Sequence, residues 1–464
     1  MSVSWIRDSS ILAGYAEDAS GLVGSPEALV RPATTAEVAE VVAECRSTRT
    51  PITPVGLRSG TTGGSVAYGG AVLSLERMDR VLDIDPRSRT AVAQPGLNLA
   101  LFKKAIEAAG LFYPPDPTSE PDCCLGGTVA TNASGSRTYR YGPTRDWIRG
   151  LQVVLGTGET VVVRGVGASK NTTGFLGFQN PVDLFVGSEG TLGVVTEVAV
   201  GLLPAPPSYF GAMAFFKDLP SALRFVVETD ASPRVFPRCL ELFDKACLDL
   251  IAPHAVGMPF PKDAGAGIFF EVETGPGSGH DTAMESWLHY LEHAGAMADD
   301  TVIAESRAQK DELRRLRHKV PETLNERARA YRSAGGRKIS TDWAVPLGSL
   351  PAAVAMATEI VERDFGGPFF RYGHVGNGHP HFNLLAEDAA ALRRGESAVH
   401  EICRRVVAMA GTVTAEHGVG KLKRPFLAYQ YPPAILEAMR AVKGTLDPDG
   451  ILAPGNIFSD GRPG

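Results

Sequence analysis

Residues 54–65 read PVGLRSGTTGGS and run straight out of a short strand-like stretch, PITPVG. Glycines 56, 60, 63 and 64, set among Ser59, Thr61, Thr62 and Ser65, leave many backbone N–H groups unobstructed by side chains. Such a loop can wrap a pyrophosphate, with hydroxyls as further donors and Arg58 as counter-charge. It has neither the lysine-containing phosphate loop nor the G-x-G-x-x-G spacing, so ATP and nicotinamide motifs are not supported. Alone it reads as a turn, because Gly/Ser/Thr clusters usually are turns. Two more stretches repeat the texture: 114-PPDPTSEPDCCLGGTVATNASGSRTYRYG-142 and 183-DLFVGSEGTLGVVTEVAVGLLP-204. Three such loops suggest an extended dinucleotide lying along bare backbone.

The surrounding pattern constrains the fold. ALVRP reads as a strand, and Thr34 or Thr35 can cap a following helix with Val38, Val41, Val42 and Cys45 at helical spacing. AVLSL, VLDID and RTAVAQPG read as strands and NLALFKKAIEAAG as a helix, a β–α–β–β order of the mixed α+β kind. Near residue 205 the texture shifts, with PAPPSYFG marking a boundary. GAMAFF, RCLELFD, GIFFEVE and DWAVPL then read as strands, and 219–229, 279–296, 310–330, 350–364 and 391–409 as helices. That set suits an α+β cap whose helices cover one face of an antiparallel sheet. A helix over 433–444 and the turn-rich 447-DPDGILAPGNIF-458 follow. At 464 residues, two domains is the natural expectation.

Charge and composition exclude several function classes. A formal net charge of -6 gives no reason to expect nucleic acid or an anionic membrane as partner. No run of eighteen apolar residues marks a spanning helix, and the first residues lack the apolar core of a secretory signal. The six cysteines are scattered without a C-x-x-C pair, which fits reduced thiols in the cytoplasm and argues against an iron–sulfur cluster in this chain. Cys123 and Cys124 read as buried structural thiols.

The chemistry concentrates in 371-RYGHVGNGHPHFNLL-385 and 411-GTVTAEHGVGKLKRP-425. His374, His379 and His381 are clustered, and His417 directly follows Glu416. Imidazoles with a carboxylate suit zinc, iron and related metals, and glycines 373, 376 and 378 let the backbone turn so that these side chains converge. A lone histidine would favour a satisfied loop, whereas this cluster favours a site. One arginine of the basic helix 310–330 could hold a substrate carboxylate in a bidentate grip, the rest being solvated.

Taken together, PVGLRSGTTGGS, PPDPTSEPDCCLGGTVATNASG, SEGTLGVVTE, GHVGNGHPHFN, AEHGVGKLK and DPDGILAPGN resemble the FAD-linked oxidases of the vanillyl-alcohol-oxidase type. Within them the chain is most similar to the D-lactate dehydrogenase, glycolate oxidase large-subunit and D-2-hydroxyglutarate dehydrogenase group. The resemblance implies an α+β fold with a two-part FAD-binding domain, residues 1–205 joined by a returning segment at 426–464. Residues 206–425 would form the α+β substrate cap on its antiparallel sheet. FAD would lie on Pro54, Gly56, Leu57, Arg58, Ser59, Gly60, Thr61, Gly64 and Ser65 of the first loop. The second stretch would add Pro117, Thr118, Ser119, Gly126, Gly127, Thr128, Asn132, Ser134 and Gly135. Glu189, Gly190, Gly193, Val194, Val195 and Asn456 complete the implied set. Because the first loop has no histidine, the FAD is expected to be non-covalent.

By the same resemblance His374, His381 and Glu416 match ligands of a divalent metal such as zinc, manganese or iron, and His417 matches the base beside the flavin. Asn383 matches a substrate-contacting asparagine, while Arg317 and Lys338 would orient the substrate carboxylate. Two positions depart from the family signature: Asn377 stands for the usual aspartate and His379 for the usual asparagine. The implied activity is oxidation of a small 2-hydroxy acid. The implied electron acceptors are an iron–sulfur protein, an electron-transfer flavoprotein, a quinone or oxygen, and a partner could hold the protein at the inner face of a membrane. A homodimer is also among the expectations. The rival readings are an alkylglycerone-phosphate-synthase-like transferase without net oxidation and a non-catalytic electron carrier.

Overall fold

The computed structural model describes residues 3–459 apart from 168–169, 176–178, 207, 234, 256 and 275–279. Residue 279, with which the expected helix 279–296 opens, and residue 207 of PAPPSYFG lie outside the described residues. The chain divides into two compact units, one of residues 1–135, 142–205 and 416–464, the other of residues 136–141 and 206–415. The return to the first unit therefore falls at 415/416, where the sequence reading placed it after 425. Residues 136–141 join the second unit although they lie inside the second glycine-rich stretch.

In the first unit β1 (Ala28–Val30), β2 (Ile52–Val55) and β3 (Ala71–Ser74) form a parallel sheet in the order β1-β3-β2. The helix Thr35–Thr48 makes the crossover that parallel strands require, capped by Thr34, whose side chain accepts from Glu37 N. Its Val38, Val41, Val42 and Cys45 pack with Val30, Ile52 and Leu73 into a core that also takes Ile451 and Leu452 from the far end of the chain. A second, antiparallel sheet contains β4 (Val81–Asp85), β5 (Thr90–Ala93), β7 (Ile148–Val154), β8 (Thr160–Arg164) and β9 (Val194–Gly201), ordered β4-β5-β9-β7-β8. The short β6 (Leu111–Phe112) and β10 (Leu203–Pro204) pair with each other.

The second unit is built on seven antiparallel strands, β11 (Ser208–Phe216), β12 (Pro237–Asp244), β13 (Ala266–Thr274), β14 (Val302–Ala304), β15 (Gly335–Ser340), β16 (Phe369–His374) and β17 (His379–Asp388). Their order is β14-β11-β13-β12-β16-β17-β15. Helices cover both faces rather than the one expected. One core packs helices 219–231, 350–360 and 389–408 against Leu240, Leu242, Ile268, Phe270, Phe382 and Leu384. The other packs helices 245–251 and 307–329 against Met213, Phe215, Phe243, Phe269 and Phe370. The physical reason lies in β12, which is buried at every residue, so both of its faces need cover.

One further expectation needs correction. DWAVPL is not a strand: Trp343 fills the core, and the segment contributes only a bridge at Ala344 to Thr412. The histidine segment is a β-hairpin, with a 3-10 turn at Val375–Asn377 joining β16 to β17. Gly378 ends that turn at φ +65, where an added Cβ would collide with Val345 O.

Candidate active site

Within the first unit the three glycine-rich stretches come together. An added Cβ on Gly56 would strike Cys124 Sγ, one on Gly190 would press on Pro54, and one on Gly135 would strike Asp116 O. Gly64 is closed in by Glu189 and Asn456, the latter donating through Nδ2 to Gly64 O at 2.8 Å. Arg58 adopts φ +59, so the first loop makes a left-handed turn outward. Beyond it Leu57 is left exposed, and Gly60 has open space where a side chain would be. Bare backbone and an uncovered apolar side chain at the tip of an anchored loop fit a large, partly apolar cofactor. Gly126 packs on Pro95 and Gly127 N–H lies beside Cys124 at the start of the helix Leu125–Thr131, so these two glycines seat the second stretch.

The turn after Glu416 is fastened to the same loops. Val419 and Gly420 N–H groups donate to the Glu189 carboxylate at 2.6 and 2.8 Å, and Lys421 N–H donates to Thr62 O at 2.8 Å. Thr62 Oγ1 donates to His417 O at 3.3 Å, and His417 Nε2 lies 3.2 Å from Glu416 Oε1. Lys421 Nζ reaches Gly63 O and Asn456 Oδ1. Burial raises the Glu189 carboxyl above its ordinary value despite the two N–H donors. Glu189 and Asn456, expected on the cofactor, have their described side-chain bonds within the protein and hold the His417 turn on the first loop. Gly193 packs on Val153, while Val194 and Val195 pair with Val154 and Val153 of β7 and Val194 lies in the core.

In the second unit the period of two along β16 and β17 sets the geometry. Tyr372 opposes His381, His374 opposes His379, and Phe370 opposes Asn383, so all six face one side of the sheet. Ser340 opposes Asn383 and Lys338 opposes Leu385, which brings β15 to the same face. His374 Nδ1 bonds Glu241 Oε1 at 2.7 Å, and His381 Nδ1 bonds Thr341 O at 3.2 Å. With each Nδ1 held by an oxygen acceptor, Nε2 is the ring nitrogen suited to a ligand's role. His379 Nε2 is 3.2 Å from Asp342 Oδ1. Asn383 is fully buried and its side chain has no hydrogen-bond partner among the described residues. A buried amide in that state is costly unless a ligand meets it.

Arg317 was expected at the substrate carboxylate. Its Nε is paired with Glu241 Oε2 at 2.8 Å and its η nitrogen lies 3.4 Å from His374 Nδ1. Burial pushes the Glu241 carboxyl up, but Arg317 and His374 outweigh it and hold it below its ordinary value. Lys338 is different: burial alone draws its amine down from 10.5 to about 8.

Comparison with known proteins gives the family. The family model for the C-terminal domain of FAD linked oxidases matches residues 206–457, and the FAD binding domain model matches residues 26–164. The chain belongs to the FAD-linked oxidases. It is 32% identical to the glycolate oxidase subunit GlcD of Bacillus subtilis, over 96% of this chain and 92% of that one. It is 31% identical to a D-2-hydroxyglutarate dehydrogenase of Stutzerimonas stutzeri, covering 98% and 96%, and 30% identical to a D-lactate dehydrogenase of Anaerostipes hadrus, covering 93% and 89%. Among solved structures it matches an alkyldihydroxyacetonephosphate synthase with a TM-score of 0.71, 97% of this chain and 82% of that one covered. At 19% identity that match shows the fold alone. The FAD-binding domain of the family supports FAD as cofactor here. No helix among the described residues is long and apolar enough to cross a membrane.

Sequence reasoning missed Glu241, Thr341 and Asp342, which hold the three hairpin imidazoles. A signal for Glu241 did exist. RCLELFD sets Glu241 between two leucines of a strand, and a carboxylate is rarely buried without a task.

Proposed function

We propose that this chain oxidises a 2-hydroxy acid to the 2-oxo acid in the cytoplasm, with His417 as general base. The observation that carries the reading is the pair His374 and His381, each fixed through Nδ1, on a sheet face that also bears Asn383 and Lys338. The names of the three relatives support the substrate class.

FAD, when bound along the glycine loops, supplies the acceptor for the hydrogen on C2, which departs with its electron pair. His417 takes the hydroxyl proton as the carbonyl forms, and Glu416 Oε1 lies 3.2 Å from its Nε2. Asn383 offers a buried amide to the substrate, and Lys338 holds its carboxylate while charged. Arg317 acts through Glu241: it keeps that carboxylate ionised and thereby keeps His374 in one tautomer and one orientation. The donor set suits a divalent metal of the zinc, manganese or iron kind. His374 and His381 would hold it, with Glu416 as third ligand, and it would lower the pKa of the substrate hydroxyl. Glu416 follows Ala415, whose N–H is bonded to Asp342 O in the strip that also orients His379 and His381. Electrons then leave to a partner, an iron–sulfur protein or an electron-transfer flavoprotein, in keeping with the word subunit in the name of the Bacillus subtilis relative.

The test is anaerobic mixing of the FAD-loaded protein with D- and L-2-hydroxy acids, followed at the flavin band with and without chelator. One enantiomeric series should bleach the flavin. A flavin that stays oxidised with every acid would leave the transferase reading standing instead.

A further inference from the structure

The other face of the seven-stranded sheet carries imidazoles for which the oxidation chemistry has no use. The helix His280–His293 is seated there by Trp287 and Leu291, buried in the core that also holds Phe270, Phe382 and Leu384. Trp287 stacks on Phe270 with ring centres 4.6 Å apart. Phe382 and Leu384 alternate along β17 with His381 and Asn383, so this helix lies across the sheet from His381. With Trp287 and Leu291 turned inward, the helical period turns His289, Glu292 and His293 outward, and all three are exposed.

His289 and His293 are four residues apart, which sets their Cβ atoms about 5–6 Å from each other on one helix face. Their rings come closer than that, to 4.2 Å between centres at 67°. The two side chains therefore lean together, although both stand in solvent. His293 Nδ1 is 2.8 Å from His289 O, and a ring nitrogen facing a carbonyl donates to it, which puts the lone pair on Nε2. His289 Nδ1 lies 3.8 Å from Glu292 Oε2. A metal-bound histidine turns its other nitrogen to a carbonyl or a carboxylate, and here one ring faces each. The run 289-HYLEH-293 also repeats the H-x-x-E-H order with which helical zinc sites bring two imidazoles to one ion.

We propose that His289 and His293 form a surface chelate for a first-row transition ion, held by the two Nε2 atoms with water in the remaining positions. The donors decide the ligand class. Imidazole pairs suit copper(II), nickel(II) and zinc, whereas calcium and magnesium take oxygen. Copper(II) binds tightest, by the usual ranking of divalent ions on nitrogen ligands. Glu292 is a positioning residue, steadying His289 from behind the ring. The chelate is independent of the oxidation reading, because it uses none of the residues on the opposite face of the sheet.

The experiment titrates tag-free, FAD-loaded enzyme with copper(II) chloride and with zinc chloride by calorimetry, after stripping with chelator and dialysis. Wild type is compared with His289→Gln, His293→Gln and His254→Gln. His254 is an exposed histidine elsewhere in the second unit, and all three substituted positions are exposed, so folding is not at stake. One copper-binding event of the wild type should weaken at least about tenfold in His289→Gln and equally in His293→Gln, and stay as it is in His254→Gln. Zinc should show the same pattern at lower affinity. Copper binding of equal strength and stoichiometry in wild type and His293→Gln overturns the chelate. So does a loss of the same size in His254→Gln, which would show exposed histidines taking up copper one at a time.

Discussion

Glu241 Oε1 lies 2.7 Å from His374 Nδ1, joining β12 to β16 across 133 residues of sequence. The other oxygen takes Arg317 Nε at 2.8 Å, so one buried carboxylate positions both the candidate ligand and the arginine behind it. Replacing Glu241 by Ala strands the buried guanidinium and should cost about 3–5 kcal/mol in chemical denaturation. Glu241→Gln, gentler on folding, should weaken zinc binding by about 10–100-fold in a chelator competition. Zinc affinity untouched by Glu241→Gln would mean that His374 needs no such support.

Glu271 makes the stability of the second unit sensitive to acid. Its carboxyl falls from the ordinary 4.5 to about 2 because Arg137, Arg238 and Arg314 outweigh burial. A depressed carboxyl stabilises the fold fully above its unfolded value and loses that contribution as pH falls through its folded value. Wild-type stability should therefore drop between pH 4.5 and about 2, by roughly 3 kcal/mol from this group. Glu271→Gln should show a shallower slope in that window, and equal slopes would show the carboxylate to be uncoupled from folding.

Lys338 works in the opposite sense. Burial lowers its amine to about 8, so the folded protein binds fewer protons than the unfolded chain between there and 10.5. Stability should rise with pH across that window, and Lys338→Met should raise the melting temperature at neutral pH. Function should run the other way: KM for the hydroxy acid should climb above about pH 8 as the charge is lost, and Lys338→Arg should flatten that limb. A KM independent of pH from 7 to 10 in the wild type would remove Lys338 from the substrate site.

Asn383 and Tyr113 are both buried with side-chain atoms that lack a hydrogen-bond partner among the described residues. Tyr113 sits against Phe102 in the first unit, and Tyr113→Phe should be neutral or stabilising by about 1 kcal/mol, with turnover unchanged. Asn383→Val should likewise stabilise the protein, yet lower kcat/KM at least about tenfold, because the amide is kept for the substrate. If both variants leave turnover intact, Asn383 makes no contact with substrate.

Much of this arrangement was legible along the chain, for reasons particular to the residues. PAPPSYFG marks the point where glycine loops give way to apolar strands, and the chain changes units at 205/206. GAMAFF and GIFFEVE are long enough and apolar enough to announce buried strands, and both are. The histidine hairpin was not legible, because Gly373, Gly376, Gly378 and Pro380 suggest a loop while only strand pairing with β12 and β15 makes it an interior part of the sheet. The partners of its imidazoles were hidden too, since Glu241 and Thr341 lie far off in sequence and reach the site by sheet register. The pairing of Arg317 with Glu241 was hidden for the same reason, the two lying 76 residues apart.

The most direct test is stopped-flow bleaching of the flavin, without oxygen, in wild type and His417→Ala charged with the best 2-hydroxy acid. FAD should remain bound in the variant, since the bonds from Val419, Gly420 and Lys421 N–H to Glu189 and Thr62 hold that turn and are untouched by the substitution. The expected result is bleaching slowed by at least about a hundredfold with the flavin still in place. Bleaching at the wild-type rate in His417→Ala would contradict the assignment of His417 as the base.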